Sequence, residues 1–421
     1  MPIRFIFRDI PLKYFSQKIP TSLQQISKLA KSDIGIAAIL TLSWQALLTI
    51  VGYLIDFNFR PPATGILANP DDLLRHTLHW DAGWYQEIIL SDFYQHTSSE
   101  GAIFAFYPLY PLLVKLVSVL SFGLFSLPVA SNILTTIATI ATLTALIKIG
   151  THLLMNRRPA ILIALLFITS PAAMFLHVFY SEAVFISIGA WAYFCALKRR
   201  WVIMAILLAT LTAARLPSVL FIALCGLEFL RSHQWKIPHA LRDRSLLWFL
   251  LTPVGFIVYS LWCYIVIGDP LAMFHAYTAP DGWPYQVFNM NIISTLFNAS
   301  LDLYHGLRVH GINPVTLVYN ILPLGSLALL SVVAIYGLFR AKGPFVPLGI
   351  FSLLSLVLFT LNSNIISAHR YSLACLSIFI IIVLFSDRHP KLRWLLYAFL
   401  PVGLFVQLKL LSLFIANIFA G

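Results

Sequence analysis

Residues 73–95, LLRHTLHWDAGWYQEIILSDFYQ, gather acids and aromatic rings in a chain in which only 10% of the residues are charged. In this stretch Asp81 directly follows Trp80, and Trp84 and Tyr85 come three and four residues later. On a helix, residues at these spacings lie on neighbouring faces. A carboxylate at the boundary between water and lipid is partly desolvated, which raises its proton affinity. Asp81 is therefore suited to accept a proton from a hydroxyl group.

Simpler structural roles are open for the same residues. Trp80, Trp84 and Tyr85 could belong to the belt of aromatic residues that lines a membrane surface. Asp81 could be the N-cap of the helix that follows it. The flat rings beside Asp81 would also suit the apolar face of a sugar ring, and the spacing alone does not decide between these interpretations.

Glu182 is the second acid of interest, because it stands in FYSEAVF at the start of a long apolar run. An acidic residue at the centre of a bilayer costs about 2.5–3.5 kcal/mol on insertion scales. With Ser181, the residue could simply cap the next helix at the outer surface. The alternative is a functional carboxylate, and the sequence leaves both interpretations open.

The elements that carry these acids follow from the composition. The chain has 421 residues, of which 59% are hydrophobic, and its mean hydropathy is +0.85. Soluble proteins carry about 25% charged residues, so a soluble protein is excluded. The apolar runs of about 18 to 25 residues can cross a hydrocarbon core of about 30 Å. Since lipid offers no partner for open backbone groups, the sequence predicts an all-α polytopic membrane protein.

The net charge of +12 indicates cytoplasmic loops rich in Lys and Arg rather than a nucleic-acid partner. The four cysteines lie inside apolar runs without CxxC spacing, which predicts small buried thiols rather than disulfides or a metal site. They are Cys195, Cys225, Cys263 and Cys375.

We predict a bundle of about 11 (±2) transmembrane helices from the apolar runs. The segment Arg215–Pro217 interrupts the pattern, because proline removes a backbone donor and disfavours helix in the preceding residue. One broken helix or two separate ones fit that interruption. The predicted spans are 34–55, 127–149, 159–177, 180–197, 201–215, 216–231, 246–267, 315–339, 344–362, 366–385 and 392–415.

The basic clusters of the loops all fall on the cytoplasmic side, together with the N-terminus, if residues 106–122 are re-entrant or interfacial. We therefore expect a basic cytoplasmic segment at 1–33 and a single transmembrane domain at 34–415. Two long outer loops are expected at 56–105 and 268–314, and they hold most of the acids. The first of them contains Asp56, Asp71, Asp72, Asp81, Glu87, Asp92 and Glu100.

Several motifs together resemble one family. HWDAGWYQEIILSDFY is followed by AFYPLYPLLVKL, SPAAMFLHVFYSEAVF, TAARLPSVLF, GDPLAMFHAYTAPDGW and SAHRYSLACLSIF, in an order that covers roughly residues 70–385. Each motif alone is weakly specific, but the ordered set is similar to the PIG-V-like mannosyltransferases. These are membrane glycosyltransferases of the GT-C class.

The resemblance implies a polyprenyl-phosphate–sugar donor that is used on the non-cytoplasmic face. It places Asp81 at the reaction centre as general base, with inversion at the anomeric carbon. Tyr180 and Glu182 would face the same cavity, where Glu182 would orient the acceptor or share a divalent metal with Asp81. Two oxygen ligands are too few to assert that metal, and no other cofactor is implied.

Arg215 and Arg370 are the arginines at the predicted outer ends of spans. Snorkelling to the surface would explain both, but a guanidinium can also grip a phosphate with two parallel hydrogen bonds. We expect Arg370 to contact the lipid phosphate, with Arg215 as second choice. His275 could position donor or acceptor, although a loop histidine is more often structural.

The resemblance favours mannose as the sugar, but the fold does not fix the substrate. The acceptor hydroxyl could belong to a glycan, a lipid or a protein. A polyprenol-linked sugar flippase or transporter is the alternative, although transporters place ionisable residues near the membrane midplane. The expected location is the plasma membrane of a bacterium or the endoplasmic reticulum of a eukaryote.

Overall fold

The computed structural model describes residues 31–59, 70–96, 101–277, 289–418 and 420. Throughout these ranges the regular structure is helical, and none of the described residues forms a strand. Residues 1–30 of the expected basic N-terminal segment lie outside the described residues, as do residues 60–69, 97–100 and 278–288 of the two expected outer loops. The all-α fold class is confirmed.

The described residues up to Ile267 contain eleven helices, in which the 3₁₀ stretch Arg244–Leu251 is counted with the helix that follows it. They are α1 (Asp33–Phe59), α2 (Pro70–Leu74), α3 (Asp81–Leu90), α4 (Leu109–Leu120), α5 (Leu127–Leu154), α6 (Arg157–Ile168), α7 (Glu182–Leu197), α8 (Trp201–Thr212), α9 (Ser218–Ser232), α10 (Ile237–Arg242) and α11 (Arg244–Ile267).

The described residues after Ile267 add seven helices, in which adjoining 3₁₀ and π-helical turns are counted with the longer helices. They are α12 (Ala272–His275), α13 (Ile292–His310), α14 (Pro314–Ala341), α15 (Gly343–Thr360), α16 (Ala368–Ser372), α17 (Leu376–Arg388) and α18 (Pro390–Ile415).

Every predicted span contains at least one of these helices, but their lengths differ. In the part of the chain that the structure describes, six helices are long and apolar enough to cross a membrane, namely α1, α5, α11, α14, α15 and α18. The predicted count of about 11 spans is therefore not confirmed. The segment 106–122 forms α4, a helix of 12 residues. At 1.5 Å per residue it is about 18 Å long, and its re-entrant or interfacial position remains a prediction.

The core of the bundle is built around α5, which packs against α1, α4, α6 and α7. Small residues permit the closest approaches. At Gly150 of α5, a Cβ would lie 2.9 Å from the Cβ of Ala160 in α6. At Gly189 of α7, a Cβ would lie 2.6 Å from the ring of Phe221 in α9. The apolar packing therefore depends on glycine where helices meet.

Three short segments interrupt the helices of the bundle. Residues 169–181 separate α6 from α7 with a 3₁₀ turn at Pro171–Leu176. Residues 213–217 separate α8 from α9, and the contact between the Trp201 and Phe229 rings at 5.0 Å shows that these are two antiparallel helices. This resolves the alternatives that were open at Arg215–Pro217. Residues 361–367 separate α15 from α16.

The cysteines agree with the expectation from their apolar surroundings. Cys195, Cys225, Cys263 and Cys375 are all buried and free. Their role as small core residues is confirmed.

Gly255 allows the packing of α8 on α11 to be tested, and a second glycine provides the control. At Gly255 of α11 a Cβ would overlap the carbonyl oxygen of Ala209, so Gly255→Ala should force the two helices apart. We expect a loss of about 1–3 kcal/mol of unfolding free energy, measured by thermal unfolding in detergent. The matched control is Gly325→Ala in α14, where a Cβ meets nothing within 4 Å. This variant should gain about 0.5–1 kcal/mol; equal effects of the two variants would contradict the packing.

Candidate active site

Four ionised side chains meet between the interrupted helices. The Arg370 guanidinium donates from Nη1 to Asp81 Oδ2 at 2.7 Å and from Nε to Glu182 Oε1 at 2.6 Å. Arg215 donates from Nη1 to the same Oε1 of Glu182. Two carboxylates and two guanidinium groups balance in charge, and we call these four residues the ionic cluster.

Burial divides the ionic cluster into an inner and an outer pair. The side chains of Arg370 and Glu182 are each 4% exposed, whereas those of Asp81 and Arg215 are each 17% exposed. A buried charge is costly unless it is paired and hydrogen-bonded. Glu182 is stabilised by two guanidinium partners, Arg215 and Arg370, and with Arg370 it forms the inner pair. Asp81 and Arg215 are the members most accessible to solvent or a ligand.

Asp81 is held by contacts from the segment before α7. It is the first residue of α3, and Trp80 occupies the N-cap position without a capping side-chain bond, so the N-cap interpretation of Asp81 is wrong. Its backbone N–H donates to Tyr180 Oη at 3.1 Å. In the same two segments, the N–H of Phe179 donates to the carbonyl of Thr77 at 3.2 Å. The two acid-bearing segments are therefore joined directly.

Glu182 begins α7 in the same way that Asp81 begins α3. Ser181 occupies the N-cap position, but it makes no capping bond. Its hydroxyl is hydrogen-bonded to Tyr85 Oη at 2.8 Å instead, so the proposed cap formed by Ser181 and Glu182 is not seen. Both carboxylates lie in the first turn of a helix, where the helix dipole favours negative charge.

Aromatic rings enclose the guanidinium groups. The Arg370 guanidinium carbon lies 4.4 Å from the ring centre of Tyr180 and 5.0 Å from that of Phe175. Arg215 is similarly placed, 5.6 Å from the Tyr371 ring. Such cation–π contacts contribute about 2 kcal/mol each when they are desolvated. They explain how two arginines are accommodated in an apolar bundle, and snorkelling does not describe Arg370.

The ionic cluster opens onto a cavity of about 620 Å³. Among the residues that line it are Asp81, Arg215 and Arg370, together with Trp80 and Trp84. Pockets for small molecules have volumes of about 300–1,000 Å³, so the cavity is large enough for a substrate beside the carboxylate of Asp81.

The walls of the cavity differ in chemistry. One wall is aromatic: Trp84 is stacked on Phe106, with ring centres 5.7 Å apart and planes at 16°. The segment 361–367 contributes polar residues, namely Asn362, Asn364 and Ser367. A flat ring and neutral hydrogen-bonding groups would suit the apolar face and the hydroxyl groups of a sugar.

The structure brings together most of the residues expected from the sequence. Trp80, Trp84 and Tyr85 line the cavity beside the ionic cluster, and Tyr180 packs against Arg370. His275 is the exception. Its side chain is 64% exposed, its Nδ1 lies 2.7 Å from Asp269 Oδ2, and it does not belong to the cavity lining.

Some lining residues were not expected. Tyr277 and Tyr319 line the cavity, as do Asn362, Asn364 and Ser367. The last three belong to a polar group, LNSNIIS, between two apolar runs. That interruption is a visible signal, but it does not distinguish a binding loop from an ordinary connection. Nothing in the sequence around Tyr277 or Tyr319 indicates that these residues line a cavity.

No group of three or more His, Cys, Asp or Glu side chains that could hold a metal ion occurs within the described residues. The two carboxylates of the site are engaged by guanidinium groups. The guanidinium groups balance the charge of the site, whereas Oε2 of Glu182 is buried without a hydrogen-bond partner. A divalent metal shared by Asp81 and Glu182 stays a prediction.

The fold and the site define a helical membrane protein with paired carboxylates and arginines in a substrate-sized cavity. A sequence model of the mannosyltransferase (PIG-V) family matches residues 39–281, more than half of the chain. The chain belongs to this family, which confirms the resemblance and makes the protein a membrane glycosyltransferase of mannose. No curated protein matches the chain. Asp81, Glu182 and Arg215 lie within the matched segment, whereas Arg370 lies beyond it.

Proposed function

We propose that the protein transfers mannose from a polyprenyl-phosphate–mannose donor to a hydroxyl acceptor on the non-cytoplasmic face. The observation that supports this proposal is the position of Asp81, a carboxylate at the edge of a cavity that also contains an arginine and stacked aromatic rings. Family membership favours such an enzyme over the flippase or transporter alternative. The scaffold would be of the GT-C class.

In the proposed reaction, Asp81 accepts the proton of the acceptor hydroxyl through a carboxylate oxygen. The acceptor oxygen forms a bond to the anomeric carbon while the bond from that carbon to the phosphate oxygen breaks. The polyprenyl phosphate leaves with the electron pair from the opposite face, so the configuration inverts. A phosphate leaving group needs no second acid, unlike the leaving groups of glycoside hydrolysis, in which two carboxylates act.

Each arginine has a separate role in this proposal. Arg370 binds Oδ2 of Asp81 and Oε1 of Glu182, so it orients the two carboxylates. Arg215 is more exposed than Arg370 and lines the same cavity. We therefore assign the donor phosphate to Arg215 first, which reverses the order expected from the sequence.

The donor is tested with purified protein in detergent micelles and a panel of radiolabelled polyprenyl-phosphate sugars, with a membrane lipid extract as the source of acceptors. We expect consumption of the mannose donor and release of polyprenyl phosphate. Micelles have no compartments, so a transporter would show no turnover. If no sugar on the panel is consumed, the proposed donor class is wrong.

Arg215→Lys tests the phosphate contact. Lysine keeps a positive charge beside Glu182 but loses the planar fork that binds two phosphate oxygens. We expect the KM for the mannose donor to rise about tenfold, which corresponds to about 1.4 kcal/mol.

Arg231→Lys provides the control, because Arg231 forms a comparable pair with the buried Glu228 at 2.5 Å. It lies at the far end of α9, about 20 Å along the helix from Arg215. Its donor KM should match that of the wild type. An unchanged donor KM in Arg215→Lys would contradict the assignment.

A further inference from the structure

A hydrogen bond connects the end of the described chain to the segment that carries Asp81. His79 Nδ1 lies 2.8 Å from Asn417 Oδ1, with His79 two residues before Asp81 in the chain. His79 is 5% exposed, whereas Asn417 is at the surface. The imidazole is therefore held in the protein interior by an amide that follows α18.

The same part of the chain also reaches the segment that carries Arg370. His369, directly before Arg370, lies with its Nε2 2.9 Å from the carbonyl oxygen of Ala420. His369 is 3% exposed. Two histidines that flank two members of the ionic cluster are thus both bonded to residues just beyond α18.

Phe414, in the last turn of α18, fills the space between these contacts. Its ring centre lies 5.4 Å from that of His79 and 5.8 Å from that of Tyr180. Tyr180 Oη in turn accepts a hydrogen bond from the backbone N–H of Asp81. We call Phe414, Asn417 and Ala420 the C-terminal clamp, because these residues contact the segments on both sides of the ionic cluster.

The backbone conformation of Trp80 explains why contacts such as those of the C-terminal clamp are needed. Its backbone is at φ 57° and ψ −120°, a region of positive φ that residues other than glycine rarely adopt. Such a residue costs about 1–3 kcal/mol and persists only when the surroundings enforce it. Trp80 stands between His79 and Asp81, so the conformation that directs Asp81 towards Arg370 depends on fixed neighbours on both sides. Tyr180 Oη holds the backbone on both sides, since it accepts from the N–H of Asp81 and donates to the carbonyl of His79 at 3.4 Å. Asn417 holds the side chain of His79.

We infer that Asn417 is a positioning residue for Asp81, acting through His79, and that the C-terminal clamp sets the geometry between Asp81 and Arg370. Asn417 lies well beyond the segment that the family model matches. The catalytic part of this inference rests on the proposed function. The structural part, that Asn417 restrains the segment around Asp81, does not.

The test replaces Asn417 with glycine and with aspartate. Asn417 has φ 57°, so Asn417→Gly removes the amide without straining the backbone. Asn417→Asp keeps an oxygen that accepts a hydrogen bond from His79 Nδ1. The control is Gln407→Leu, because Gln407 also joins α18 to the bundle, through a hydrogen bond from Trp44 at 2.9 Å.

The first measurement needs no substrate. Backbone hydrogen exchange in a peptide that covers residues 78–85, followed by mass spectrometry, should become about tenfold faster in Asn417→Gly, since opening of this segment becomes easier. Asn417→Asp and Gln407→Leu should exchange at the wild-type rate in this peptide. Unchanged exchange in Asn417→Gly overturns the inference, whatever the donor proves to be.

The second measurement is turnover of polyprenyl-phosphate–mannose. Asn417→Gly should lower kcat about 10- to 100-fold at unchanged donor KM, because a misplaced base affects the chemical step. Asn417→Asp should restore kcat, and Gln407→Leu should lower the melting temperature without lowering kcat. A loss that Asn417→Asp fails to rescue would contradict the role of the hydrogen bond. A wild-type protein without turnover would instead refute the proposed function, while the exchange measurement still decides the inference.

Discussion

Asp81→Asn should reduce kcat/KM for the mannose donor by about 10²–10⁴-fold, the contribution of a general base. The amide has the shape of the carboxylate, but it does not accept the proton of the attacking hydroxyl. It can still accept a hydrogen bond from Arg370, and the buried pair of Arg370 and Glu182 is kept. The one positive charge that is no longer balanced lies beside Arg215, which is 17% exposed and lines the cavity. The variant should therefore remain folded, and turnover together with thermal unfolding in detergent would measure both effects.

The control for this prediction is Asp269→Asn. Asp269 is also a partly exposed acid with a basic partner, but that partner is His275, and Asp269 does not line the cavity. Its variant should keep wild-type turnover. If Asp81→Asn also kept it, Asp81 would not be the base, although the cavity could still be the binding site.

Arg370→Met should unfold at a much lower temperature than the wild type. The substitution leaves two carboxylates with only Arg215 as a partner, so one negative charge in the cluster is no longer balanced. Breaking a buried ion pair in this way costs about 3–5 kcal/mol. Turnover should be lost as well, because the guanidinium that orients Asp81 is gone. Thermal unfolding and turnover in detergent measure the two effects.

The double variant Arg370→Met/Glu182→Gln separates charge from geometry. It removes one positive and one negative charge, so the remaining Asp81 and Arg215 balance again. We expect it to regain a substantial part of the lost stability and none of the lost turnover. A wild-type melting temperature in Arg370→Met, or no stability gain in the double variant, would show that the cluster does not act as an electrostatic unit.

The sequence predicts the helices well, because an apolar run in lipid has no alternative to a helix. It predicts their extent less well. Residues 366–385, for example, read as one span, whereas the structure has a short helix at Ala368–Ser372 and a second one at Leu376–Arg388. The interruption places Arg370 in its own short helix. The mostly polar residues AHRYS give way to apolar ones near that break, but the change does not distinguish a broken helix from a span with a polar first turn.

The site could be predicted as a set of residues but not as a set of contacts. Asp81, Glu182 and Arg370 stand out because charge is rare in apolar surroundings. That Arg370 binds Asp81 could not be predicted, since the two are 289 positions apart and their meeting depends on the packing of the whole bundle. His275 shows the converse, because its position in a predicted outer loop gave no indication that it lies outside the cavity lining.

The balance of charge in the ionic cluster has a consequence for the conditions in which the protein can work. Mobile ions screen exposed charges over about 10 Å at 0.1 M salt, but they reach buried pairs poorly. Arg370 and Glu182, at 4% exposure each, are sheltered from such screening, unlike the surface pair Arg393–Asp387 at 37% and 40%. The internal arrangement of the site should therefore withstand wide changes in the ionic strength of the medium that bathes it.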